Sequence, residues 1–173
     1  MVAIVKYNAG NVQSVRFALE RLGVEALWTD DPAALQSATK VIFPGVGEAS
    51  SAMRYLRAKG LDKTLLGLKQ PVLGICLGLQ LFCRHSEEND TDCLGVFEVD
   101  VRKFAATPSI KVPHMGWNTL HGLKAPLFEG LEAGDFAYFV HSYYADLSAH
   151  TVAECSHGVP FSAALQRDNF YAV

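Results

Sequence analysis

Apolar residues in the first half of the chain recur with two alternating periods. Val2 to Tyr7 is short, apolar and β-branched and reads as a strand, followed by the turn residues of Asn8-Ala9-Gly10-Asn11. From Asn11 to Leu22 the spacing becomes helical, with Val12, Val15, Leu19 and Leu22 on one face and Gly23 as the stop. The alternation then repeats. Val24 to Thr29 is a second strand, and Asp31 to Ala38 a short helix with Asp31 as N-cap and Pro32 at its first position. Lys40 to Gly45 is a third strand, and Ser50 to Lys59 a helix stopped by Gly60.

Gln70-Pro71-Val72-Leu73-Gly74-Ile75 holds a short unbroken apolar run, the pattern of a central parallel strand covered on both faces, and Leu77 to Ser86 continues as a helix. From about Leu94 the pattern becomes strand-like throughout. Residues 95–104, 111–120, 136–145, 151–156, 161–166 and 169–173 each read as strands. The implied fold class is α/β: a central, mostly parallel sheet flanked by helices, running into a β-rich C-terminal half. Nothing repeats internally, and no stretch has linker composition.

A chain of 173 residues that is 50% hydrophobic supports one good core, so a single domain over residues 1–173 is expected. Its net charge of -3 and scattered Lys and Arg argue against a nucleic-acid partner. The first residues lack a signal peptide's basic and long apolar regions, and no apolar run is long enough for a membrane span, so a cytoplasmic protein is expected. Cys76, Cys83, Cys93 and Cys155 show no CxxC spacing, which favours free thiols in a reducing compartment.

One of those thiols stands apart. Cys76 lies at a strand-to-helix junction between Gly74 and Gly78, the spacing of a nucleophile turn in which small flanking residues present the middle side chain. A helix starting after it would aim N–H groups and the positive dipole end at the sulfur and favour thiolate, with the Leu77 N–H as an oxyanion donor. A buried structural cysteine remains open on this pattern alone. Pro44-Gly45-Val46-Gly47 follows another strand and could lay N–H groups beside Cys76, or be an ordinary turn; no Gly-Lys-Ser/Thr follows it, so it is not a P-loop. Among the histidines, His141 in the most aromatic strand reads as structural, and His85, His121, His150 and His157 as solvated. The acidic run His85 to Asp92 lacks metal-site spacing and reads as a solvated loop, so neither metal nor cofactor is expected.

Taken together, Pro44-Gly45-Val46-Gly47, Gly74-Ile75-Cys76-Leu77-Gly78-Leu79-Gln80 and Phe139-Val140-His141-Ser142-Tyr143-Tyr144, in this order, resemble the class I glutamine amidotransferases, a family with a flavodoxin-like fold. Tyr7 to Asn11, Val112 to Asn118 and Phe161 to Val173 bring the chain closer to members that supply ammonia to a cyclase in histidine biosynthesis. The resemblance implies Cys76 as nucleophile on glutamine, with the Val46 and Leu77 N–H groups as the oxyanion hole; a flip of the loop before the Val46 N–H points inward is left open. It implies that Gly45, Gly47, Gln80, Glu88, Ser142 and Tyr143 hold the glutamine. It also implies a heterodimer with a (β/α)8-barrel cyclase subunit facing Asn11, Pro113, His114, Met115, Gly116, Trp117, Asn118 and Tyr138.

The family continues past a strand like Asn169 to Val173 into a His-Pro-Glu segment, whose histidine is the base and whose glutamate orients it. The resemblance therefore implies a truncated chain, about 20–25 residues short of its natural length, without its last strand or helix and with little activity of its own. Two alternatives stand beside this reading: a non-catalytic regulatory or binding subunit of the same fold, and another class I amidotransferase.

Overall fold

The computed structural model describes residues 1–8 and 11–173, so Ala9 and Gly10 of the first turn lie outside the described residues. β1 (Val2–Val5), α1 (Val12–Arg21), β2 (Ala26–Thr29), α2 (Pro32–Ser37), β3 (Lys40–Gly45) and α3 (Ala49–Lys59) follow the expected alternation closely. The caps explain the boundaries. Asp31 accepts from the Ala33 N–H with Pro32 just inside the helix, Glu48 accepts from the Ser50 and Ser51 N–H groups, and Gly60 closes α3 in the left-handed region at φ 67°.

One helix is absent from the sequence pattern as read. Leu61–Gly67 forms α4 directly after Gly60, because that residue ends one helix and begins the next with no loop between them. Its signal was Leu61, Leu65 and Leu68, all buried and spaced as one helical face. β4 (Val72–Cys76) and α5 (Leu77–Phe82) then build the central junction. α5 stops four residues earlier than expected. The carbonyls of Leu81, Phe82 and Cys83 accept from the N–H groups of Leu94, Phe97 and Gly95 instead of continuing the helix, and residues 85–86 become a strand.

The rest of the chain is β5 (His85–Ser86), β6 (Thr91–Asp92), β7 (Asp100–Lys103), β8 (His114–Thr119), β9 (Phe136–His141), β10 (Tyr143–Ala145), β11 (Thr151–His157), β12 (Val159–Arg167) and β13 (Phe170–Ala172). In the main sheet β2-β1-β3-β4-β13 are mutually parallel, and β12, β10 and β7 extend them antiparallel. β8 and β9 form a separate antiparallel pair. The aromatic segment 136–145, expected as one strand, breaks at Ser142 because β9 pairs in the small sheet and β10 in the large one.

Alternation along the strands sorts the core. Ala3, Val5, Val41, Phe43 and Val72 face Ala52, Met53, Leu56, Leu61 and Leu65 from α3 and α4 in one buried cluster. Each fully buried Leu or Phe there contributes ~1.5–3 kcal/mol of transfer free energy. On the opposite face α1 has no fully buried residue, and Ile42, Leu73 and Tyr171, aligned in one row across β3, β4 and β13, are part-buried.

Candidate active site

β4 delivers Cys76 to the carboxyl edge of the parallel sheet, where α5 begins. Cys76 itself carries the sharp turn, at φ 56° and ψ −106°, a conformation that costs a side-chain-bearing residue free energy and is held by the structure around it. The Cys76 N–H donates to the Val173 carbonyl at 2.8 Å, and Gly45 is its direct partner across the β3–β4 ladder. The flanking glycines serve close approach, which refines their expected role in the turn. A Cβ on Gly74 would lie 2.7 Å from the Phe82 ring, and one on Gly78 would strike the Phe43 carbonyl.

The surroundings of the sulfur oppose the thiolate that the helix end favours. Protein packed around it raises the thiol pKa, the Leu77 N–H opposes this, and the Glu88 carboxylate pushes it further up. Burial wins over the end of a helix only six residues long. Tyr7, buried below the turn, donates to the Pro44 carbonyl at 2.8 Å, and its phenol pKa is raised by burial and by the neighbouring Cys76. Val46 and Gly47 follow at once from Gly45 as an exposed loop, with Gly47 at φ 128°.

Beside the sulfur stands a polar network built by the hairpin of β5 and β6. Gln80 Nε2 donates to Ser86 Oγ at 2.8 Å and to Glu88 Oε2 at 2.9 Å, and Glu88 also accepts from the Ala49 N–H at 2.9 Å. Glu48 adds a second carboxylate at the same helix start. Its hydrogen bonds, first that from Ser50 and then those from Asn89 and Ser51, hold its pKa down to about 2. The run 85–92 is therefore no solvated loop: Ser86 and Thr91 are buried, and Glu88 turns inward. Tyr143 lies near these carboxylates: burial first, then Glu88, Glu87 and Glu48, raise its phenol pKa. Ser142 sits at the break between β9 and β10, its carbonyl accepting from the Phe104 N–H.

Gly45, Cys76, Leu77, Gln80, Glu88 and Tyr143 thus come together, while Ser86, Ala49, Glu48, Asn89 and Tyr7 join them unforeseen. Ser86 and Asn89 stood within the same polar run as Glu88, but only the hairpin shows which side chains turn inward.

The residues expected to meet a partner divide between two faces. Met115, Trp117 and Tyr138 are exposed, at 62%, 70% and 56%, and Trp117 lies directly across from Tyr138. Phe136 and Val140, not singled out from sequence, complete this apolar outer face. Pro113 is exposed, and Asn11 caps α1 from an exposed position. His114 and Asn118 turn the other way: His114 is buried, and Asn118 donates to the Ser156 carbonyl. Gly116 is half-buried between them. His157, expected in solvent, stacks on His114 at 4.2 Å between ring centroids. His141 is structural as expected, set between Phe104 and Phe161.

The family model for class-I glutamine amidotransferases matches residues 4–173. The chain belongs to this family. Among curated relatives of this amidotransferase, "Imidazole glycerol phosphate synthase subunit HisH" of Bacteroides fragilis is 58% identical over 172 residues, covering 99% of this chain and 88% of the relative. The protein of the same name from Xylella fastidiosa is 48% identical, covering 96% and 84%. A solved glutamine amidotransferase superposes with a TM-score of 0.72 at 20% identity, covering 99% of this chain and 87% of that one. Another, from Thermotoga maritima, gives 0.66 at 15% identity, covering 99% and 73%. At those identities the two structures speak for the fold.

Proposed function

We propose that this amidotransferase is the glutaminase subunit of an imidazole glycerol phosphate synthase and that Cys76 is its nucleophile. The observation that carries the reading is the strained Cys76 turn, set against Gly45 on one side and the Gln80–Glu88 network on the other. The Cys76 sulfur attacks the side-chain amide carbon of glutamine, with the Leu77 N–H and, once turned inward, the Val46 N–H holding the oxyanion. The C–N bond breaks, ammonia leaves, and water hydrolyses the γ-glutamyl thioester to glutamate. Glu88 and Tyr143, together with Gly47 and Ser142, bound the space for the substrate's charged backbone groups.

The thiol proton needs a base, and His141 does not serve, because both its ring nitrogens are engaged, with Tyr143 O and with His114. The family places that base in a His-Pro-Glu segment after a strand such as β13. A chain continuing from Val173 enters beside Cys76, whose N–H bonds the Val173 carbonyl. Residues 1–173 alone are accordingly expected to turn glutamine over poorly.

The relatives are named as a subunit of a synthase, and the apolar outer face of β8 and β9 supports a protein partner. We take it to be a (β/α)8-barrel cyclase that uses the ammonia on a phosphoribulosyl-type nucleotide. The test is to mix the protein, extended to the length of its relatives, with such a cyclase. A stoichiometric complex that makes product from glutamine is expected, and absence of both binding and glutamine consumption contradicts the proposal.

A further inference from the structure

Behind the apolar outer face runs a chain of polar groups in an otherwise aromatic pocket. Its donors and acceptors follow from the groups themselves. His141 Nδ1 lies 2.7 Å from the Tyr143 carbonyl, which can only accept, so Nδ1 carries the proton. His141 is kept neutral by burial, its pKa lowered, so Nε2 accepts from His114 Nδ1 at 2.9 Å. His114 Nε2 then accepts from Asn118 Nδ2, whose other proton goes to the Ser156 carbonyl. Every hydrogen bond points the same way, from Asn118 through His114 and His141 to the Tyr143 peptide.

The two ends of this chain have different neighbourhoods. Asn118 follows Trp117 in β8, so it stands one residue from the exposed Trp117–Tyr138 pair. Tyr143 begins β10, paired with Lys103 of the main sheet, and is near enough to Glu88 for that carboxylate to raise its phenol pKa. β9 and β10 are separated by Ser142 alone, where the chain passes from the small sheet to the large one. Phe104, Phe139 and Phe161 pack against the imidazoles, so the bonds through His114 and His141 to the Tyr143 carbonyl are part-buried, while the Asn118–Ser156 end is exposed.

We propose that His141, backed by His114 and Asn118, is a positioning residue for the glutamine site: it fixes the Ser142–Tyr143 backbone relative to the apolar face that receives the partner. The inference rests on the proposed glutaminase function of Cys76. Its physical content is geometric. The chain reverses between sheets at Ser142, and the His141 ring ties the last residue of β9 to the first of β10, so displacement of β8 against β9 reaches the Tyr143 peptide through side chains of fixed polarity.

The experiment uses the protein extended to the length of its relatives, with the proposed synthase partner, and follows glutamine KM and kcat for wild type, His141→Asn and His141→Leu, with Cys76→Ala as control. Asn keeps a donor where Nδ1 stands, and Leu keeps only bulk. Expected is a glutamine KM about fivefold or more higher in His141→Leu, with kcat changed less, and restoration to within about twofold of wild type in His141→Asn. Equal KM in wild type and His141→Leu overturns the proposal. So does equal impairment of the two variants accompanied by a common loss of thermal stability, which marks a purely structural residue. A Cys76→Ala protein that still consumes glutamine overturns the glutaminase function assigned to Cys76, and the proposal with it.

Discussion

At Cys76, three single-residue facts combine: a positive φ on a residue with a side chain, a ladder partner, Gly45, where a Cβ would collide with Leu77, and glycines on both sides that let α5 lie against β3. The Gly-x-Cys-x-Gly spacing made the turn legible, because sharp strand-to-helix turns need small flanks. It did not reveal which glycine is indispensable or that burial raises the thiol pKa, since both depend on distances between segments remote in sequence. Gly78→Ala should cost about 1–3 kcal/mol, because its methyl meets the Phe43 backbone, which cannot step aside. Gly67→Ala, with open space at its Cβ, should be neutral or slightly stabilising. Denaturant midpoints of the two variants check this, and equal midpoints would contradict it.

Among the elements, the alternation of period in the first half announced β1 to β4 and helices α1 to α3. Each strand there is a mostly apolar run, and α1, α2 and α3 each have a readable cap or glycine stop. α4 was hidden because one glycine serves two helices, and the end of α5 because N–H groups from residues 94–97 claim its carbonyls. In Phe136–His141 the strict alternation placed Phe136, Tyr138 and Val140 on one face, yet sequence could not say whether that face was inside. The structure leaves it outside, opposite His141 and Phe139. A central aromatic on such a face is where binding energy concentrates, so Trp117→Ala should weaken partner affinity by about 30-fold, corresponding to ~2 kcal/mol. Titration calorimetry against the cyclase checks this, and an unchanged affinity would remove β8–β9 from the interface.

Over the whole molecule, the parallel half and the β-rich half meet at the site, and titratable groups of both feel the junction. His114 is held neutral by burial and by His141 and His157, its pKa lowered from 6.5 to about 4. Between those values the unfolded chain binds a proton that the folded chain refuses, so stability falls as pH drops from about 6.5 to about 4 and His114 adds no further loss below that. Glu48, lowered from 4.5 to about 2, contributes stability above pH 4.5 that is lost as pH falls through about 2. Urea midpoints should therefore decline between pH 6.5 and 4, with the His114 ring resonances still those of neutral imidazole near pH 5. A ring titrating at its ordinary pH would contradict the buried cluster. Nothing in the residue pattern alone could have supplied this, because His114, His141 and His157 are neighbours only after β8 has paired with β9 and β11 has packed beside them.

The central claim is that Cys76 takes ammonia from glutamine for a partner, and the most direct test is the nitrogen source. In the protein extended to the length of its relatives and mixed with the proposed cyclase partner, Cys76→Ala should abolish synthesis from glutamine, by at least about a thousandfold, while synthesis from added ammonia stays at the wild-type rate. If both syntheses fell together, or if glutamine still supported turnover, Cys76 would be a structural residue and the account would fail.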